Sequence, residues 1–133
     1  MRRDVRRRLI KAAKSGNTIT YGSLMKEFHI SRGGGQKSIG HVVGSISEYE
    51  DQNGRPLISA IVVRSRSESR ICPKGQTGGG FFSIPSPTIP QNLRRKLSDI
   101  GISTLTIDEK EFLWNQQNKV WDYWRTHEDT EAE

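Results

Sequence analysis

The side chains with the widest chemical scope are three histidines, one cysteine, a small cluster of acids and a lysine-led run of glycines. His29, His41 and His127 are scattered, and no His-x-x-x-His or Cys-x-x-Cys spacing supplies the paired donors of a zinc site. Cys72 precedes Pro73 and Lys74. A neighbouring lysine lowers a thiol's pKa, but no base stands in a useful relation to Cys72, which reads as a structural thiol. Lys74-Gly75-Gln76-Thr77-Gly78-Gly79-Gly80 has the glycine content of a phosphate loop. It lacks the Gly-Lys-Ser/Thr ending and the helix that should follow, which excludes P-loop nucleotide hydrolysis. Two readings remain for it: an anion site made by Lys74, Gly75, Gly78, Gly79 and Gly80, or a mobile connection. Glu48, Glu50 and Asp51 cluster without a Lys or His partner and read as solvated acids. No catalytic residue, metal site or cofactor is assigned.

Basic residues carry a stronger signal. The chain holds 21 Lys+Arg against 15 Asp+Glu, a net charge of +6. Residues 1–37 contain ten basic and two acidic residues, whereas residues 108–133 contain three basic and eight acidic ones. This asymmetry fits an anionic partner at the N-terminal half, pairing between the two ends, or solvated helix faces. DNA readout needs short polar or basic side chains near the start of an exposed helix. Gln36, Lys37 and His41 offer them, since glutamine can pair with adenine's N6/N7 edge and lysine with guanine or phosphate. Arg64, Arg66 and Arg70 lie in a polar loop from which arginines reach phosphate or the minor groove. Arg3 and Arg7 extend the basic surface. Gly33-Gly34-Gly35 lets backbone amides approach a phosphate at the next helix's start, or is simply a flexible connection.

These residues must be positioned by elements that hydrophobic spacing predicts. Val5, Leu9, Ala12 and Ala13 recur at helical spacing over Arg2–Ser15, with Arg3, Arg6, Arg7, Lys11 and Lys14 on the wet side and Gly16-Asn17 as the stop. Thr20 is the expected cap of a short second helix that buries Leu24, Met25 and Phe28 and holds His29 partly in the core. Ile39, Val42, Val43, Ile46 and Tyr49 form one stripe of a third helix over residues 36–49. Leu57–Val63 reads as a central strand, Ser65–Ser69 as a hairpin loop, and Ile71-Cys72 and Phe81–Ile84 as short strands. A helix over Gln91–Ile100 and a last one over Asp108–Arg125 complete the order. The last helix buries Leu113, Gln117, Val120, Trp121 and Trp124.

A chain of 133 residues suits one domain and is too short for a two-domain nucleotide enzyme or a (β/α)₈ barrel. Residues 1–125 are expected to form one α+β domain and residues 126–133 an acidic flexible tail. Met1-Arg2-Arg3 has the charge of a signal peptide's start, but no apolar stretch follows it, so the expected location is the cytoplasm with no membrane contact. A single cysteine excludes an internal disulfide framework.

The helix–helix–helix–strand–loop–strand order predicts a winged helix-turn-helix-like N-terminal half with a short antiparallel sheet, followed by a C-terminal helix. Two resemblances accompany it. Ile19-Thr20-Tyr21-Gly22 with Ile39-Gly40-His41-Val42-Val43-Gly44 resembles the DNA-binding segment of alkyltransferase-like proteins over about thirty residues. The Pro-Cys-His-Arg acceptor motif is absent, so this resemblance implies duplex docking and not methyl transfer. Over most of its length the chain is similar to a group of small bacterial proteins with no assigned activity. Tyr21-Gly22-Ser23-Leu24, Ile39–Ile46, Gly54–Val63, Gly78–Phe82 and Phe112–Trp124 carry that similarity, which implies a single domain.

The sequence thus predicts a DNA-binding accessory protein without catalytic activity, its partner duplex DNA. A protein-interaction module or homodimer is the alternative. For it Trp114 and Tyr123 would be the exposed pair on the aromatic terminal helix, with Trp121 and Trp124 on the core. A small enzyme using the glycine-rich loop is the third reading.

Overall fold

Apolar residues along one face define the first helix, α1 (Arg3–Lys14). Val5, Leu9, Ile10, Ala12 and Ala13 are buried, and Asp4 occupies the first turn, where a carboxylate favours the helix dipole. The computed structural model describes residues 1–32, 37–64, 79–94 and 106–130. Gly16 takes a φ of 69° just past α1, the left-handed conformation that lets the chain leave the helix. A two-residue strand, β1 (Ile19–Thr20), leads directly into α2 (Tyr21–Phe28). Thr20 caps α2 as expected: its Oγ1 accepts from the Ser23 amide at 3.0 Å.

His29 closes α2 at φ 55°, the one positive φ outside glycine among the described residues. It is exposed, not part of the core. The backbone reversal that ends the helix turns His29 away from the apolar face that Leu24 buries.

α3 (Ile39–Gln52) begins at its cap, Ser38, whose Oγ accepts from the His41 amide at 3.3 Å. Ile39, Val42, Val43 and Ile46 are buried along the expected stripe, and Tyr49 is half-buried. The segment after the Asn53-Gly54 turn departs from expectation. Leu57–Val63 does not form one strand: Ile58–Ile61 is a 3-10 turn and only Val62–Val63 is a strand, β2. All seven residues are buried, so a run that is apolar but for Ser59 reflects burial on every side, which a periodicity argument cannot assign to strand or helix.

β2 pairs with β1 in parallel, Ile19 opposite Val62 and Thr20 opposite Val63. The expected antiparallel sheet is therefore corrected. Its two described strands are joined through α2 and α3, and a crossover of that kind returns the chain in the same direction. Phe81 and Phe82 also form no strand; they lie in a 3-10 turn, Gly79–Ser83, both buried, with ring centroids 5.1 Å apart edge to face. Of the helix expected over 91–100, Gln91–Leu93 is a 3-10 turn, and residues 95–100 lie outside the described residues.

α4 (Ile107–Thr126) starts with a capping box: Thr106 Oγ1 accepts from the Glu109 amide at 3.1 Å, and Glu109 Oε1 accepts from the Thr106 amide at 2.7 Å. Its buried seam contains Leu113, Gln117, Val120, Trp121 and Trp124, as the spacing predicts. The helix packs on α1 and on the Ile58–Ile61 turn. Gln117 Nε2 donates to the Ala60 carbonyl at 3.0 Å, and Trp121 Nε1 to the Asn17 carbonyl at 3.0 Å. The described residues form a small, helix-rich mixed domain of four α-helices and a two-stranded parallel sheet. Among them no helix is long and apolar enough to cross a membrane.

Candidate nucleic-acid interface

α3 follows α2 after ten residues, with the Ile39 amide donating to the Ser31 carbonyl at 2.9 Å, and exposes part of its first turn to solvent. Gly40 and His41 are exposed there, as is Lys37 just before the cap Ser38, while Ile39, Val42 and Val43 anchor the helix from beneath. A Cβ added at Gly40 or Gly44 would meet no atom within 4 Å, so the backbone of this face stands open. Gln36, expected beside Lys37, lies outside the described residues together with Gly33–Gly35. Between Tyr21 and Ser47 the chain has one acid, Glu27, against Lys26, Arg32 and Lys37. That acid is engaged: Glu27 Oε1 accepts from Arg8 Nε at 3.4 Å. Arg2 approaches α2 as well, its guanidinium 5.9 Å from the centre of the Phe28 ring. The N-terminal half of α1 therefore lies alongside the last turn of α2.

Arg3, Arg7 and Lys11 are exposed at i, i+4 and i+8 on α1, and none has a carboxylate partner among the described residues. Lys11 also borders a groove of about 360 Å³ with Arg8, Ala12, Ser15, Asn17 and Thr18, where two cations meet several polar side chains. Arg64 is half-buried at the end of β2, and Arg66 and Arg70 lie outside the described residues. So do Cys72 and, of the glycine-rich loop, Lys74, Gly75 and Gly78; Gly79 and Gly80 open the turn that carries Phe81 and Phe82.

The terminal aromatics are occupied within the chain. Trp114 and Tyr123 are both half-buried. The Trp114 ring lies 6.2 Å from Trp121, edge to face, while Tyr123 stacks on His127 at 3.9 Å and meets Trp124 edge to face at 4.9 Å.

One charged cluster escaped sequence reasoning. Arg6, expected on the wet side of α1, is buried, and Glu50, expected as a solvated acid, is wholly buried. Arg6 Nε donates to Glu50 Oε2 at 2.9 Å, while Arg55 donates to Glu50 through Nε at 2.9 Å and Nη2 at 3.0 Å. Asp129, in the segment after α4, accepts from Arg6 Nη1 at 2.9 Å, and Glu128 accepts from Lys14 at 3.1 Å. Both guanidiniums also approach the Tyr49 ring, Arg6 at 5.7 Å and Arg55 at 5.6 Å. Burial works against the Arg6 charge, but its bonds to Glu50 and Asp129 outweigh this and raise its pKa. The signal available in sequence was an arginine at the flank of an apolar stripe, which by itself does not name a partner 44 residues away. This cluster locks α1, α3 and the end of the chain together, and so fixes where the basic face of α1 points.

Among the described residues no group of three His, Cys, Asp or Glu side chains is arranged to hold a metal ion. No family model, curated protein or solved structure matches the chain.

Proposed function

We propose that the protein binds duplex DNA as a winged helix-turn-helix-type module, with α2 and α3 as the helix pair and residues 65–69 as the wing. The observation that carries this reading is the uncompensated positive charge around the exposed start of α3. Lys26, Arg32 and Lys37 have no carboxylate partner among the described residues, and the one acid of the segment is taken by Arg8. Lys37 and His41 would face base edges or phosphates, with Gln36 beside them. The open backbone at Gly40 and Gly44 allows the helix to approach the duplex closely. Arg3, Arg7 and Lys11 would contact phosphates, and Arg64, Arg66 and Arg70 would serve the wing.

A mobility-shift series on mixed-sequence duplexes at two salt concentrations tests the reading. Binding is expected at low salt, with a steep loss as salt rises. Arg7→Glu and Lys37→Glu should each weaken it for all sequences, and removing one phosphate contact should flatten the salt slope by about one. Absence of binding at low salt ends the proposal.

A further inference from the structure

His127 directs the segment that leaves α4. Its backbone is extended, its ring stacks on Tyr123 with centroids 3.9 Å apart, and its Nδ1 donates to the Tyr123 carbonyl at 2.7 Å. The next two residues turn onto α1: Glu128 accepts from Lys14 at 3.1 Å, and Asp129 from Arg6 at 2.9 Å. Residues 127–133 hold four acids and no lysine or arginine.

The two acids are held very differently. The Arg6 and Asp129 side chains are 2% and 8% exposed, so their bond is closed off from solvent. Those of Lys14 and Glu128 are 33% and 91% exposed, an ion pair of the kind that contributes little and that salt screens. Asp129 is thus an anchor and Glu128 a displaceable neighbour. The anchor keeps the Glu128 carboxylate beside Lys14 at a high effective concentration.

The place of Lys14 on α1 decides what this contact does. It follows Arg7 by seven residues, so the two side chains project within about 20° of one another. Arg3, Arg7, Lys11 and Lys14 therefore make one row, at i, i+4, i+8 and i+11. The first three have no carboxylate partner among the described residues. Lys14 is paired, and with an acid 114 residues away in the chain.

We propose that Glu128 is a built-in competitor of duplex DNA for Lys14. In the free protein its carboxylate occupies the fourth cation of the row. A DNA phosphate displaces it, and Lys14 then extends the backbone contact of Arg3, Arg7 and Lys11 while Asp129 stays on Arg6. The duplex must break an ion pair and bring phosphate near a carboxylate, which holds down affinity for every sequence. This inference rests on the DNA-binding reading and adds regulation of the same surface.

A double-substitution cycle in the full chain tests it, with affinity for a mixed-sequence duplex read at low salt. Glu128→Gln alters a side chain that lies in solvent, so the fold is kept. It should tighten binding about two- to fivefold, the fold-change of one exposed ion pair. In a Lys14→Gln background the same substitution should leave affinity unchanged, because no cation is left to release. Two results overturn the competitor while DNA binding stands. Either Glu128→Gln leaves the parent's affinity unchanged, or it tightens binding equally with and without Lys14, the effect of net charge alone. If neither the parent nor Glu128→Gln binds at low salt, the DNA reading itself fails and this inference goes with it.

Discussion

Arg6 and Glu50 meet side chain to side chain at 2.9 Å, 2% and 0% exposed, and join the first helix to the third. Glu50 also holds Arg55, so one carboxylate balances two guanidiniums. Removing it leaves cations without their shared counter-charge in a poorly solvated place. Glu50→Ala should therefore destabilise the fold by about 3–5 kcal/mol, read from urea denaturation. Arg55→Ala should cost less, because the Arg6–Glu50 bond survives and Arg55 lies nearer solvent.

Asp4 supplies a pH-dependent contribution. Its bond to Arg2 is the main reason its carboxyl titrates below the usual aspartate range, with the Val5 amide adding to the effect against a desolvation cost. The folded state thus binds this proton less readily than the unfolded chain. The stability it confers is complete above the ordinary aspartate pKa of about 3.9 and is lost as pH falls through the lowered value. Both side chains are more than two-fifths exposed, so solvent screening limits the contribution to about 0.2–0.5 kcal/mol. Asp4→Asn should remove that small step from the acid limb of a stability–pH curve and leave the neutral plateau nearly flat.

The capping box of α4 gives a sharper test. Thr106 is exposed and packs little, so its contribution is the hydrogen bond that its hydroxyl accepts from the Glu109 amide. Thr106→Ala should cost about 1 kcal/mol, and Thr106→Ser about none, by thermal or chemical denaturation.

What the sequence made legible follows the range of the interaction that decides each feature. The first, third and last helices were readable because their apolar stripes are local patterns, and the observed ends lie within three residues of the expected ones. α4 starts one residue earlier than the expected Asp108, because Thr106 and Glu109 cap each other reciprocally. The Ile58–Ile61 turn was unreadable because seven buried residues in a row carry no period. Glu50 was illegible for a different reason: its partners are Arg6 and Arg55, one of them in another element, and only the fold brings three elements together there. His41 is exposed on the first turn of α3 as expected, because exposure opposite a strong stripe follows from helical geometry; Lys37, read as helical, lies instead before the cap Ser38.

His29 tests backbone conformation directly. At φ 55° a residue with a Cβ is disfavoured relative to glycine by about 1–2 kcal/mol, partly offset by glycine's greater freedom in the unfolded chain. His29→Gly should be at least as stable as the parent, and His29→Val less stable by more than about 1 kcal/mol, since branching at Cβ worsens the clash. Equal stability of the two variants would contradict a left-handed residue at this position.

Gly44 separates stability from binding. It lies inside α3, where glycine costs about 1 kcal/mol relative to alanine. A Cβ there would meet no atom within 4 Å, so nothing in the fold opposes the methyl group. Gly44→Ala should therefore raise stability by about 0.5–1 kcal/mol, measured by denaturant titration. If α3 lies against a duplex with its backbone close to the groove, a larger side chain at the same place intrudes on the contact. Gly44→Leu should then fold as well as the alanine variant, since leucine is also a strong helix former, yet bind DNA more weakly at every salt concentration. A leucine variant that is stable and binds with full affinity would mean that this face of α3 does not meet the duplex, and the interface would have to be sought along α1 instead.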